Sequence, residues 1–600
     1  MKTLRYSLRS LKMLIKKYPI YLLVQAFSLL FGLVLTVIPV WTIRDVVNAF
    51  TTYGDSISSV SEFFDVIGYR ILVYVAIEIL AILLSLVVDF IVSYIERGFY
   101  AYVATTLYKK LSSIDYDFHE SSNFLDNYTR ALENGNSYIY NTATGQVNLI
   151  KIFVQSLSMF AIIFTINYLA IIYALIVGVC YYFIRRKVSK TEYKLRSVLM
   201  PATRKRNYIG RVMYVKDSMA DIKTTPISDV LLDYHKEQGD VVLGLTKTHV
   251  RKRTFIQSVG AIIMNTIYPV ILGIVAYFVL KTKNLGDLAS LTLAASTISN
   301  LISRFGDQLT SIQDTAMEAR VSFELLDMQG HIEGVKRQEV DGKFKELKID
   351  DIEFGYIEEK MILKNISFYV KKGEKIAIVG ENGAGKTTLV KLLLRLYDVG
   401  SGKIMYNGTP YTDITPESLR KYVGAVFQQP EVYSVSVAEN VLLRKCVSKE
   451  DEDLVIEALK FADLYDYVET LEEGIHTMVT REFNHLGVVF SGGQTQKLAV
   501  ARGYAQNYEV FILDEPSSAL DPIAEAKMYH NMLELGRNKT LIFISHRLSA
   551  AVNVDRIYLF EEGRIAEMGT HEELMQIENG IYREMFESQS EKYLKGSNNA

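Results

Sequence analysis

Six long apolar runs crowd the first half of the chain: Tyr18 to Val40, Val66 to Ile95, Val147 to Ile166, Leu169 to Phe183, Phe255 to Leu280 and Leu285 to Ile302. They are of the length that a helix needs to cross a hydrocarbon core of ~30 Å. The third and fourth touch at Asn167-Tyr168 and describe one long hairpin. Two polar segments, Glu96 to Gln146 and Arg185 to Lys252, are too long for turns and keep helical spacing continuous with their neighbours. That pattern predicts helical extensions into the cytoplasm, with tips near Tyr116 to Asn127 and Met213 to Thr224 docking onto a soluble domain; independently folded loops are the competing reading. Further on, the pattern changes to short apolar runs that end in polar residues: Lys375 to Val379, Val423 to Phe427, Glu509 to Leu513 and Thr540 to Ile544. Continuous runs of this length suit buried parallel strands. The expected fold class is therefore an all-α membrane domain of six transmembrane helices followed by an α/β domain with a parallel sheet. Expected boundaries are 1–312 for the first, 313–346 for a linker, 347–587 for the second and 588–600 for a polar, disordered tail.

Charge fixes the orientation. Lys2, Arg5, Arg9, Lys12, Lys16 and Lys17 precede the first run, while the loop Thr51 to Ser61 has no basic residue, so the N-terminus is expected in the cytoplasm. Arg185, Arg186, Lys187, Lys190 and Lys194, then Arg251, Lys252 and Arg253, place the long segment inside too; Lys281 and Lys283 are a minor exception. Leu4, Leu8, Leu11 and Ile15 alternate with basic residues in the pattern of an interfacial amphipathic helix, without the cleavage site of a signal peptide. Only a short tail precedes the first span, so no leader-peptidase domain is expected ahead of it. A formal net charge of -2 provides no global basic field and argues against a nucleic-acid partner. Cys180 and Cys446 make neither a disulfide framework nor a metal-ligand spacing.

The stretch Gly380-Glu381-Asn382-Gly383-Ala384-Gly385-Lys386-Thr387-Thr388 fits GxxxxGK[ST] and follows a strand-like run. Its glycines let backbone N–H groups curl around phosphate oxygens, Lys386 adds a point charge, and Thr387 offers a hydroxyl to Mg²⁺. The helix expected after it aims its positive end at the same phosphates. Ligands in open α/β sheets bind beyond the carboxyl ends of strands, so the four runs predict one shared site. There Asp514 holds the Mg²⁺ shell and Glu515 orients or deprotonates the water that attacks the γ-phosphate. His546 donates to the γ-phosphate, and Gln428 reaches both metal and water. Taken singly, an Asp-Glu turn or a lone histidine is a common structural feature.

The stretch Phe490-Ser491-Gly492-Gly493-Gln494-Thr495-Gln496-Lys497, upstream of the Asp-Glu strand, resembles the signature motif of ATP-binding cassette (ABC) proteins. Gln428, the Ser518-Ala519-Leu520-Asp521 loop and His546 follow that family's order. The six-span domain ahead of one ATPase domain is similar to the exporter-type (type IV) half-transporters. The resemblance implies that Tyr356 stacks on adenine and that two chains pair, in a homodimer or with a different half. It further implies that Ser491, Gly492, Gly493 and Gln494 of one chain close over ATP and Mg²⁺ held by the other, at Gly380, Asn382 to Thr388, Gln428 and Asp514. One departure lies at Thr480 to Gly487, where His485 replaces the family's usual acid.

The expected activity is ATP hydrolysis that drives export of a small amphipathic cargo, a peptide ahead of drug-like or lipid-like molecules, from a bacterial plasma membrane with the ATPase domain in the cytoplasm. An ATP-gated channel or regulatory protein, or an importer on the same fold, is the alternative. Ionisable residues within a span are costly, so Glu78 and Asp89 are expected to face a cavity or a buried partner, which favours a cationic cargo. Thr292, Ser296, Ser299 and Ser303, with Thr297, Asn300 and Arg304 beside them, make one side of the sixth span polar; a pathway lining and a helix-packing surface are equally compatible with it. Pro39, Pro269, Gln25 and Asn265 are weaker hints of the same kind.

Overall fold

The apolar runs continue as helix well past their hydrophobic ends, because the polar sequence that flanks them keeps the same spacing. The computed structural model describes residues 2–164, 168–282, 285–333, 337–340, 343–357, 360–517, 520, 522–535 and 539–597. Six helical stretches are long and apolar enough to cross a membrane: Ile20–Tyr53, Val60–Leu111, Ala131–Phe164, Tyr168–Arg196, Ile227–Tyr277 and Leu285–Asp327. They belong to a first compact unit, Met1–Ser112 with Asn123–Met328. Its outward faces carry large apolar side chains such as Leu23, Phe90 and Ile262, as expected of lipid-facing helices. Inside, Met159, Ala170, Ala174, Ile271, Ala294, Ala295 and Ile298 form the packed centre, where small alanines let helices approach closely.

Three local features correct or refine the sequence reading. The fifth span is broken at Thr266 between helices Ile227–Asn265 and Ile267–Thr282. Pro269 lacks the N–H that would bond to Asn265 four residues back, and the Thr266 hydroxyl donates instead to the Ile263 carbonyl at 2.6 Å. The N-terminal helix Lys2–Lys17 buries Ser7, Ser10 and Leu14 and leaves Leu4 and Leu8 exposed. Arg9 fixes it, pairing with Asp327 at 2.5 Å and lying over the Phe323 ring. The sixth helix runs to Asp327, and the first unit ends at Met328 rather than near 312. The cause is burial of Ala316, Ala319 and Phe323, which carries helical packing through the segment expected to be linker. The junction of the third and fourth spans at Asn167 lies outside the described residues.

The second unit comprises Gln329–Ala600 together with Ser113–Ser122. Its strands are β1 (Glu346–Phe354), β2 (Leu363–Lys371), β3 (Lys375–Gly380), β4 (Ser401–Tyr406), β5 (Thr409–Pro410), β6 (Val423–Val426), β7 (Val510–Asp514), β8 (Thr540–Ser545), β9 (Arg556–Glu561) and β10 (Arg564–Gly569). One sheet has the order β10-β9-β3-β8-β7-β6, and its five strands from β9 to β6 are parallel. Strands β7 and β8 are buried at every position, as continuous apolar runs demand. A second, antiparallel sheet has the order β2-β1-β4-β5. The C-terminal helix continues to Ser597, past the expected boundary at Glu587. It is anchored by Gln589, which donates to the His546 carbonyl at 2.8 Å and accepts from the Leu548 N–H at 3.0 Å. The helix thus runs past 588, where the polar tail was expected to begin, and 598–600 lie outside the described residues.

The tip Tyr116–Glu120 is a short helix that packs as part of the second unit. Asp115 is fully buried and accepts the N–H groups of His331 (2.7 Å), Ile332 (3.2 Å) and Glu333 (2.6 Å). Glu120 accepts from the Tyr397 hydroxyl at 2.6 Å and from Lys391 Nζ at 3.0 Å. Burial works to raise the Glu120 pKa, but the bonds from Tyr397 and Lys391 outweigh it and hold the carboxyl below its usual range. A depressed pKa means that this contact contributes fully above the unfolded value and weakens as pH falls through the folded one. The other tip, Lys216–Thr224, packs on helix Ile227–Asn265. Hydrogen-exchange protection of residues 113–122 should be complete at neutral pH and fall below about pH 4.5, while Asp115→Ala should abolish it at pH 7 by leaving three donors unpaired.

Candidate functional site

Four parallel strands deliver their carboxyl ends to one edge of the sheet in the spatial order β3, β8, β7, β6. The loop Gly380 to Gly385 leaves β3 and opens helix Lys386–Leu393. Gly380 has φ +150°, and a Cβ there would lie 2.2 Å from the Phe560 carbonyl oxygen of β9. Gly385 has φ +99°, and its Cβ would lie 2.6 Å from Leu363 Cδ2. Neither position admits a side chain, so the loop keeps its backbone open to an anion. Asn382, Gly383 and Thr387 are exposed, while Ala384, Lys386 and Thr388 are buried.

Lys386 Nζ donates to the carbonyls of Gly380 and Glu381, each at 2.8 Å. Burial pulls its pKa down from the usual lysine range, and the carboxylates of Glu515 and Asp514 oppose that shift. Asp514 is almost wholly buried at the end of β7, and burial, with the neighbouring Glu515 charge, pushes its pKa up to about 6. The Thr387 hydroxyl is its hydrogen-bond donor, yet Asp514 Oδ2 is buried with no partner. A hydroxyl beside an orphaned carboxylate oxygen at the phosphate loop is a donor set that fits Mg²⁺.

Glu515 has a left-handed backbone, φ 48°, held by its N–H bond to the Ile544 carbonyl at 2.9 Å. That turn aims the carboxylate between two neighbours: Gln428 Nε2 donates to Oε2 at 2.6 Å, and His546 Nδ1 lies 2.9 Å from Oε1. β6 stops at Val426, one residue before the expected Phe427, which is partly exposed. Tyr356 keeps 40% of its surface exposed beside the loop. Its hydroxyl is 3.4 Å from Thr388 Oγ1, and its ring meets those of Phe354 and Tyr397 edge-on.

The residues Ser491 to Gln494 form a different end of the unit's machinery. Ser491 caps helix Gly492–Ala505: its hydroxyl accepts from Gln494 N–H at 3.3 Å, and Gln494 Oε1 accepts from Ser491 N–H at 2.9 Å. First-turn N–H groups have no partner inside their own helix, so this exposed N-terminus offers donors to an anion. No hydrogen bond joins these residues to the phosphate loop among the described residues. Ahead of them, Arg481 Nε donates to the Gly487 carbonyl at 3.2 Å and closes the segment Thr480 to Gly487, leaving His485 exposed. Of the loop Ser518 to Asp521, only Leu520 is among the described residues.

A residue that sequence reasoning missed is Lys391, on the helix after the phosphate loop. Its ammonium sits 5.1 Å from the Tyr356 ring centre, 5.7 Å from that of Tyr397 and 5.3 Å from that of Tyr116, besides its bond to Glu120. Its position five residues after Lys386, on the first helix out of the loop, was the available signal. In the membrane unit, Glu78 pairs with the Tyr74 hydroxyl, and exposed Asp89 is the acid whose charge acts on Lys151. The hydroxyls of Thr292 and Thr297 bond to their own helix, at Leu288 and Leu293.

Residues 363–518 match the family model described as ABC transporter. Over 270 residues, 45% of this chain, the sequence is 37% identical to a putative multidrug export ATP-binding/permease protein of Staphylococcus aureus, and the match spans about half (46%) of that relative's length. It is 26% identical over 580 residues to the subtilin transport ATP-binding protein of Bacillus subtilis, covering 95% of this chain and 92% of the relative. A solved bacterial Atm1-family ABC exporter with ATP bound superposes with a TM-score of 0.82 at 21% identity, over 96% of this chain and 98% of that one. If the loop holds ATP as its geometry implies, ATP at 100 times its Kd should stabilise the protein by about 2.7 kcal/mol, and Lys386→Met should erase that thermal shift. Together, the loop geometry, the capped helix and these similarities show an ABC transporter domain at residues 363–518, in a chain that shares the fold of a solved ABC exporter, six apolar helices followed by one α/β domain.

Proposed function

We propose that this chain is one half of a dimeric, ATP-hydrolysing exporter that carries a small amphipathic cargo, peptide, drug-like or lipid-like, out of the cytoplasm across a bacterial plasma membrane. Glu515 carries the reading. Its carboxylate is held by Gln428 and His546 beside a buried aspartate, an arrangement suited to turnover and not only to nucleotide binding. A gate or sensor tolerates loss of such a group, whereas a pump does not.

In this reading the backbone of Gly380 to Thr388 cradles the phosphates, Lys386 balances their charge and Tyr356 stacks on adenine. Thr387, Asp514 and Gln428 would hold Mg²⁺, which neutralises charge on the β- and γ-phosphates. Glu515 accepts a proton from the attacking water while His546 donates to the γ-phosphate. Ser491, Gly492, Gly493 and Gln494 of a second half-transporter, a homodimer partner or a different chain, cover the nucleotide. Closure around two ATP molecules turns the membrane cavity outward, and the energy reaches the cargo through its different affinity for the two states. The names of the relatives, multidrug export and subtilin transport, support an amphipathic drug-like or peptide cargo.

Glu515→Gln should lower hydrolysis by at least ~100-fold, the scale of losing a main transition-state group, while ATP binding persists and a closed, nucleotide-loaded dimer accumulates on gel filtration. In vesicles with outward-facing ATPase domains, wild-type protein should accumulate a fluorescent amphipathic peptide on addition of ATP. ATP-driven loss of preloaded peptide would indicate import, and downhill ion flux without accumulation would indicate a channel.

A further inference from the structure

A cavity of about 630 Å³ opens among the first, second, third, fourth and sixth spans of the membrane unit. Its charge is the reverse of what Glu78 and Asp89 led the sequence to predict. Three cations line it, Lys151, Arg185 and Arg304, against one carboxylate, Asp307. That carboxylate is already committed: Arg185 pairs with it at 2.6 Å and the Tyr181 hydroxyl donates to it at 3.0 Å. Among the described residues Lys151 has only the neutral Ser28 hydroxyl, at 2.9 Å, as its hydrogen-bond partner, and the acid that acts on it, Asp89, stands outside the lining. Arg304 has no hydrogen-bond or ion-pair partner among the described residues. Apolar Phe31, Leu35 and Ile152 share the wall.

Cations without a carboxylate of their own beside an apolar wall persist where water or a ligand solvates them. An apolar wall beside two under-neutralised cations is complementary to a molecule with an apolar body and a negative head. We infer that this cavity is the cargo site and that it selects anionic amphiphiles, with Lys151 and Arg304 receiving a carboxylate or phosphate and Phe31, Leu35 and Ile152 receiving the apolar part. The inference rests on the export reading for the word cargo; the charge preference stands on the cavity alone. It also gives a role to Arg304, the one member of the sixth span's polar stripe that lines this space.

The test is equilibrium binding, without nucleotide, of three dansyl-labelled probes to the full chain in phosphatidylcholine nanodiscs: dodecanoyl-glutamate, its dimethyl ester and a dodecyl dimethylamine of matched length. The anion should bind at least ~10-fold tighter than either of the others, about 1.4 kcal/mol. Lys151→Gln and Arg304→Gln should each weaken the anion by at least ~10-fold and leave the ester unchanged, which also reports that the variants are folded; Arg304→Lys should retain anion binding. Equal binding of all three probes, tighter binding of the amine, or equal losses for anion and ester would overturn the charge preference. Displacement of the anionic probe by phosphatidylglycerol added to the bilayer would assign the site to membrane lipid and overturn its assignment to cargo. Charge-selective binding without ATP-driven uptake in vesicles would reject export alone, and uptake without charge selectivity would reject this site alone.

Discussion

The decisive constraint is charge at the carboxyl edge of the parallel sheet. Lys386 and Asp514 are buried there, Glu515 is nearly so, and the cluster is not self-sufficient: two carboxylates share one ammonium, and Asp514 Oδ2 has no donor. Burial alone penalises such a set. The fold sustains it because β7 and β8 are buried at every position and pin the strand ends, and because the phosphate-loop carbonyls at Gly380 and Glu381 give Lys386 neutral acceptors. A depressed lysine pKa and a raised aspartate pKa at one strand edge are the marks of a functional site, and on the reading proposed above a bound metal and polyphosphate would supply the missing partners.

The same helix that begins with Lys386 also carries Lys391, and this adjacency has a mechanical consequence. One ammonium touches the aromatic group next to the phosphate loop, Tyr356, and two residues of the segment Ser113–Ser122, Tyr116 and Glu120. Tyr397 completes the cluster by contacting Tyr356, Tyr116 and Glu120. In the sequence, that segment is the link between the helices Tyr69–Leu111 and Ser122–Phe164 of the membrane unit. A base stacked on Tyr356 would therefore act on a ring that shares its cation with the chain connecting two spans.

How much of this was legible depended on whether the determining interactions were local. The four strand ends were readable because each apolar run carries its polar terminus in its own sequence, and the β3-to-helix loop because its glycines sit at fixed spacing. The helical extensions followed from unbroken periodicity. The boundary near 312 failed because Ala316, Ala319 and Phe323 look unremarkable as residues and become core only through packing against other helices. The reach of the C-terminal helix was hidden for a similar reason: Gln589 is an ordinary polar residue until it finds the backbone of His546 and Leu548, more than forty residues upstream. The position of Lys391 on the helix after the phosphate loop was legible, but its partners were not, because they come from three separate stretches of chain.

The cavity shows the limit of counting charges along spans. Glu78 and Asp89 are the conspicuous ionisable residues of the second span, yet a charge in a membrane helix informs about cargo only if its field reaches the cargo. Glu78 is answered by Tyr74 within its own helix, and Asp89 is exposed on it. Lys151, Arg185 and Arg304 lie at the margins of their apolar runs, where basic residues are ordinarily assigned to topology. Helix packing turns these margin residues toward a common space, so the electrostatic character of the cavity is set by residues whose linear positions mark them as anchors. If the cavity is a cargo site, the sign of the charge that it selects is consequently a property of the assembled helix bundle and not of any one span.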